Sequence, residues 1–342
     1  MRFLCFGVGA IGTYIGGSLA LNGQEVVFSE RPEGAAAARQ SGLRLVLPGG
    51  ERQIDTPIIV DSIEEALSRG PFDYAIVAIK SYDTPALIDM LRPHQAQLPP
   101  LICLQNGVEN ENHLRSLVGF SRVIPGTVTS AVGRLGVGQI VLERLRGVGL
   151  AYVHPHVLDL TTVFNQAGLN AQIYNHPNAM KWSKLLTNLP ANATSAILNW
   201  TPAQVFSHPG IYRLEVAQFR EALSVMRAWP LPVCDLPGTP VRALAWAFGY
   251  LPPLVSQPLL KRGLTKGRGD KMPSFHIDLY GGRTRSEVEY LNGAVARQAA
   301  AFKRFAPVNQ SLTRILSALA AGDLPRETYA NQPEKLLAEI SR

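Results

Sequence analysis

Cysteine is scarce: the 342 residues hold three, Cys5, Cys103 and Cys234, and none stands at a spacing that would chelate a metal. Two sit inside apolar runs, FLCFG and LICLQ, so buried, reduced, structural thiols are expected and no metal centre. Blocks of like charge, internal repeats and low-complexity tracts are missing, which removes disorder and solenoid architectures. The opening MRFLCFGVGAIG has no small-residue cleavage site, and its glycines interrupt any signal-like core, so a cytoplasmic location is expected. The stretch nearest to a membrane span, residues 241–260, carries Arg242 and three prolines. A buried helix pair, a lid or a subunit interface is the expectation there, with no membrane contact.

The chain exceeds the usual size of one hydrophobic core, so two domains are expected, and a hydrophobic fraction of 46% is ordinary for a globular protein. A net charge of +7 suits a protein that handles phosphates and small carboxylates. Nucleic-acid binding would give a similar total, but the distribution of the charge argues against it, and no nucleic-acid partner is expected. The one dense basic stretch, residues 261–271, has no nucleic-acid module around it and reads as a solvated loop.

From residue 2 the pattern runs strand, glycine turn, helix, strand (RFLCFG, VGAIGTYIGGSLALNG, EVVFSE), the opening of a βαβ unit in a parallel sheet. Short apolar runs at 74–80 and 101–107 end in polar residues. This suits strands buried on both faces with functional groups at their carboxyl ends. Gly-punctuated segments at 43–60 and 123–154 predict hairpins that extend or edge the sheet. Beyond residue 175 the patterns become helical, over 177–199, 210–228, 287–303 and 310–321. The turn at Asn175, His176 and Pro177 therefore marks the expected boundary, with an α/β Rossmann-type domain over residues 1–174 and a helical domain over 175–342.

Gly7, Gly9 and Gly12 form G-x-G-x-x-G directly after a strand and at the opening of a helix. The first permits a tight turn, the second a close backbone approach to a pyrophosphate, and the third close packing of helix on strand. With Val8, Ala10 and Ile11 they make the candidate dinucleotide loop, where the helix end offers free N–H groups to phosphates. At the end of the second strand Glu30 and Arg31 stand side by side. An acid there would bond a ribose 2′-OH and favour NAD, whereas an Arg would hold a 2′-phosphate and favour NADP.

In the segment 179–200, Lys184, Asn188 and Asn192 recur every four residues, and Asn199 returns to the same side one heptad later. A passive solvent face would give a similar pattern. Asparagine is a poor helix former, however, so three of them in line with a lysine favour a site.

As a set, GVGAIG at 7–12, IKSYD at 79–83, QNGVEN at 105–110, KWSKLLTN at 181–188 and SEVEYLNG at 286–293 resemble the ketopantoate reductase (2-dehydropantoate 2-reductase) family over nearly the whole chain. The resemblance implies a Rossmann-type domain followed by an all-α domain of the 6-phosphogluconate dehydrogenase C-terminal type, with the active site in the cleft between them. It also implies NADP-dependent reduction of ketopantoate to pantoate in pantothenate and coenzyme A biosynthesis. By carry-over, Lys184 is the general acid. Glu287, rather than Glu289, helps hold substrate and meets the cofactor. Asn106 lies beside nicotinamide and substrate, Lys80 and Arg31 on the cofactor, Asn188 and Asn192 on the substrate, and Ser274 on its carboxylate. Ser274 follows Met-Pro and would otherwise simply cap the next helix. NADPH is the implied cofactor, with NAD kept open by Glu30, and a homodimer is compatible.

Two departures from the family pattern bear on the substrate. Lys271 stands where the family has an asparagine shortly before Ser274, and the apolar insertion at 241–260 is long. A reductase of another 2-keto acid is the alternative. A dinucleotide-binding sensor without turnover is a third reading, against which Lys184 and Glu287 argue, since a sensor needs no proton donor.

Overall fold

The computed structural model describes residues 1–258 and 272–341. The chain divides into two units, Met1–Lys181 with Leu236–Thr239, and Trp182–Asp235 with Pro240–Arg342.

In the first unit the strands are β1 (Arg2–Phe6), β2 (Glu25–Ser29), β3 (Leu43–Leu47), β4 (Gly50–Ile54), β5 (Ile58–Val60), β6 (Tyr74–Val77), β7 (Leu101–Cys103), β8 (Val123–Val128), β9 (Ala131–Gly136), β10 (Gln139–Arg144), β11 (Val148–Ala151) and β12 (Ala171–Tyr174). The helices are α1 (Ala10–Leu21), α2 (Pro32–Ser41), α3 (Ile63–Ser68), α4 (Thr84–Leu91), α5 (Asn110–Val118) and α6 (Val157–Gln166). The main sheet has the order β12-β11-β8-β7-β6-β1-β2-β5 and is parallel except where β11 meets β8. Period-two alternation gives each face its own core. Phe3, Cys5, Val26, Phe28 and Ile76 pack on one side, and Leu4, Phe6, Val27, Ala75, Val77 and Cys103 on the other. Because β1 has β2 on one side and β6 on the other, the chain reverses its winding there, and the crevice at the strand carboxyl ends opens beside β1.

The hairpin expectation needs one correction. The hairpins β3–β4 and β9–β10 do not extend the main sheet; β3 pairs parallel with β10, giving a separate four-stranded sheet. Its apolar residues Leu43, Leu45 and Ile140 are fully buried, and a Cβ on Gly17 of α1 would stand 2.9 Å from Leu45. The small sheet therefore covers α1, which explains why Gly12–Leu19 is buried all round. Cys5 and Cys103 are fully buried, Cys234 only partly, and all three are free thiols.

The second unit is helical. It takes over α7 (Pro177–Asn188) from Trp182 and continues with α8 (Asn192–Leu198), α9 (Pro202–Ser207), α10 (Pro209–Ala228) and α11 (Val241–Tyr250). The helices Ser274–Tyr280, Asn292–Ala301, Pro307–Ala321 and Pro333–Ile340 follow. The single helix predicted over 177–199 is broken. Pro190 has no N–H to continue the ladder, and Ala191 turns left-handed at φ 56°. The pattern at 287–303 likewise divides into a 3₁₀ turn, Glu287–Tyr290, and the helix Asn292–Ala301. Within 241–258 one face is buried through Val241, Ala245 and Phe248, while Trp246, Tyr250 and Leu254 are exposed, so this is not a fully buried helix pair. Lys271 and the basic stretch 261–271 lie outside the described residues. Among the described residues no helix is long and apolar enough to cross a membrane.

Candidate active site

The glycine loop is shaped as the spacing requires. Gly7 adopts φ +100°, and a Cβ on Gly12 would fall 1.9 Å from the Gly7 carbonyl oxygen, so neither position tolerates a side chain. A Cβ on Gly9 would meet nothing within 4 Å, which leaves open space above the loop backbone. No side chain caps the start of α1, so the N–H groups of its first turn face that space. Gly7, Val8, Gly9, Ala10, Ile11 and Gly12 thus form a cradle that fits a dinucleotide pyrophosphate.

Glu30 and Arg31 point to different duties. Glu30 Oε2 accepts from the Val8 N–H at 2.7 Å and Oε1 from the Arg31 N–H at 2.9 Å, so its carboxylate braces the glycine loop. The Arg31 side chain is 73% exposed, and its guanidinium lies 2.8 Å from Asp83 of the IKSYD motif.

Lys80 caps the 3₁₀ turn Ser81–Asp83 after β6, and Asn106 follows β7, both at strand carboxyl ends. Buried side chains lace these two loops together. Ser81 Oγ donates to the Asn106 carbonyl at 2.9 Å and Asn110 Nδ2 to the same oxygen at 2.7 Å. Gln105 Nε2 donates to the Ile79 carbonyl at 3.1 Å and to Thr84 Oγ1 at 2.8 Å.

Lys181, which sequence reasoning passed over, is only 4% exposed. Its ammonium donates to the carbonyls of Gln105 at 2.7 Å and Gly126 at 3.1 Å. It also lies 2.8 Å from the buried Glu111 Oε1, an ion pair outside good hydrogen-bond alignment. Burial works to lower the Lys181 pKa, but the Glu111 carboxylate, with a contribution from Cys103, more than offsets it, and the net shift is upward. The readable signal was a lysine inside the apolar run AMKW, where a solvated charge has no place.

In the second unit, Lys184, Thr187 and Asn188 form the less buried strip of α7, beside the buried Trp182, Leu185 and Leu186. The chain break displaces the rest of the expected polar face. Asn192 instead opens α8, is buried, and accepts from the Phe275 N–H at 3.1 Å with Ser274 Oγ at 3.5 Å. Asn199 is not part of the strip; it ends α8 in left-handed geometry and bonds His276 Nε2 at 2.7 Å. Ser274 is exposed in the first turn of its helix, where the cap is Pro273, so a capping role is ruled out for its hydroxyl. Glu287 is 4% exposed, whereas Glu289 is turned outward and engaged by Ser317 and Arg297. Among the described residues no group of three His, Cys, Asp or Glu side chains is placed to hold a metal.

Residues 3–153 match the family described as ketopantoate reductase PanE/ApbA, and residues 178–320 match its C-terminal domain. The chain belongs to this family. It is 26% identical over 326 residues to the 2-dehydropantoate 2-reductase of Halobacterium salinarum, spanning 92% of this chain and 98% of the relative. The corresponding protein of Archaeoglobus fulgidus is 25% identical over 329 residues, spanning 94% and 98%. Among solved structures, a PanE/ApbA family ketopantoate reductase from Ralstonia eutropha superimposes with a TM-score of 0.78 at 25% identity, covering 94% of this chain and 99% of that one. A D-mandelate dehydrogenase solved with NADH and anilino(oxo)acetate shares the fold, with a TM-score of 0.77 at 20% identity over 94% and 99%.

Proposed function

We propose that the protein reduces 2-dehydropantoate (ketopantoate) to pantoate with NADPH. The observation that carries this reading is the family correspondence through both units, 3–153 and 178–320, which takes in the glycine cradle and the lysine helix alike. When bound, the dinucleotide supplies a hydride to the keto carbon.

The remaining work falls to side chains. The first-turn amides of α1 and the bare backbone at Gly9 hold the pyrophosphate. Arg31, exposed and cationic, takes the 2′-phosphate; Glu30 is already committed to two backbone N–H groups, which is the argument for NADPH over NADH. Lys80 and Asn106 meet the cofactor from the carboxyl ends of β6 and β7. Lys184 donates a proton to the keto oxygen as negative charge develops there, and the amides of Asn188 and Asn192 orient the substrate without adding charge. Ser274 takes the substrate carboxylate, and Glu287 accepts a hydrogen bond from its hydroxyl.

Initial rates with ketopantoate and with 2-ketoisovalerate, which lacks the hydroxyl, test the reading with NADPH and NADH in separate arms. The wild type should favour ketopantoate in kcat/KM, and Glu287→Ala should shrink that preference, because losing one hydrogen bond to a buried carboxylate costs about 1–3 kcal/mol. Arg31→Ala should weaken NADPH and spare NADH. Equal efficiency on the two acids would transfer the assignment to a different 2-keto acid, and tighter NADH binding untouched by Arg31→Ala would reverse the cofactor preference.

A further inference from the structure

We propose that Lys181 is a positioning residue that sets the direction of the Asn106 side chain, an inference that rests on the cofactor-side role given above to Asn106. The two peptide groups flanking the Asn106 Cα are each held by buried donors. On one side the Lys181 ammonium donates to the Gln105 carbonyl at 2.7 Å; on the other, Ser81 Oγ and Asn110 Nδ2 donate to the Asn106 carbonyl at 2.9 and 2.7 Å. With both peptide planes clamped, φ and ψ of residue 106 are fixed, and so is the Cα–Cβ direction of its side chain. Gly107 follows at φ +89°, so the chain turns away at once and leaves Asn106 at the tip.

Lys181 differs from the other members of this network in origin and charge. It reaches the loop from 76 residues away in sequence, on the helix that carries Lys184 one turn later. Its bond is charge-assisted, hence stronger than a neutral one, and the charge is kept in the interior by Glu111 at 2.8 Å. A neutral side chain or a water would satisfy a carbonyl; a buried ion pair is a costly means to that end unless fixed geometry matters.

Lys181→Met alone leaves Glu111 charged and unpaired and risks misfolding, so the decisive variant is the double substitution Lys181→Met with Glu111→Gln, with Lys181→Arg as the conservative control. In the double variant we expect kcat on ketopantoate to fall tenfold or more, while KM and the NADPH dissociation constant stay within threefold. Lys181→Arg should recover part of the loss. Made on top of Asn106→Ala, the same double substitution should cost less than twofold, because its target is already gone. The fluorescence emission of bound NADPH should shift in the double variant toward that of Asn106→Ala. An unchanged kcat, an equal loss in both backgrounds, or an NADPH emission identical to wild type would overturn the proposal. A wild type inactive on ketopantoate would refute the assigned activity instead, with the emission comparison still deciding the role of Lys181.

Discussion

A lysine in the middle of an amphipathic helix is ordinarily a solvated charge, and Lys181 and Lys184, three residues apart, show two ways of being something else. Lys184 keeps partial access on the open strip of α7. The proton donor proposed at this position needs such access, since it must reach the substrate oxygen and be reprotonated each cycle. Lys184→Ala should lower kcat by about 10²–10⁴-fold and leave NADPH binding intact, read from single-turnover rates beside a fluorescence titration. A change of only a few-fold would remove it as the acid. Lys184 stood out in the sequence because Asn188 follows it at helical spacing, and the two share the less buried strip of α7. Lys181 did not, because its partners, Gln105, Glu111 and Gly126, come from a loop, a helix and a strand 55 to 76 residues away and share no local period with it. The glycine loop was readable for the opposite reason: each glycine answers a steric demand within six residues of chain, and the structure shows those demands at Gly7 and Gly12.

At the scale of the element, the break between α7 and α8 decides where the asparagines go. The signal was present, since Pro190 inside a helical pattern ends the helix, but the four-residue recurrence of Lys184, Asn188 and Asn192 masked it. What holds the break is Glu215 of α10, fully buried, which accepts from the Ala191 N–H at 2.7 Å, from Thr194 Oγ1 at 2.6 Å and from Gln218 Nε2 at 2.6 Å. Glu215→Gln should therefore destabilise the fold by about 1–3 kcal/mol, because one acceptor becomes a donor facing donors. The urea midpoint of unfolding measures this, and an unchanged midpoint would show that the break holds itself. The second sheet was illegible for a related reason: each hairpin could be read locally, whereas the β3–β10 pairing joins segments nearly a hundred residues apart.

For the whole molecule, His276 makes one contribution to stability that depends on acid. Its ring stacks on Tyr280 at 4.2 Å and bonds Asn199, and burial holds its pKa below the usual 6.5. A histidine that resists protonation when folded contributes stability that is complete above its unfolded pKa. That contribution is lost as pH falls through 6.5 toward the lower folded value, and no further loss follows below it. The melting temperature should therefore decline between pH 7.5 and 5.5, and His276→Gln should decline less over the same range. Parallel curves would place the acid sensitivity elsewhere.

The alternation of side chains along the central strands has a chemical corollary. Cys5 projects into the core on one face of the main sheet, with its thiol 3.7 Å from the Gly7 and Gly12 carbonyl oxygens, while Cys103 projects into the core on the other. Burial pushes both thiols far above their ordinary pKa, so neither yields a thiolate while its face stays packed. An alkylating reagent that modifies one and not the other has thus identified which side of the sheet came apart, and modification of Cys5 in particular marks the moment the floor beneath the glycine loop lifts away.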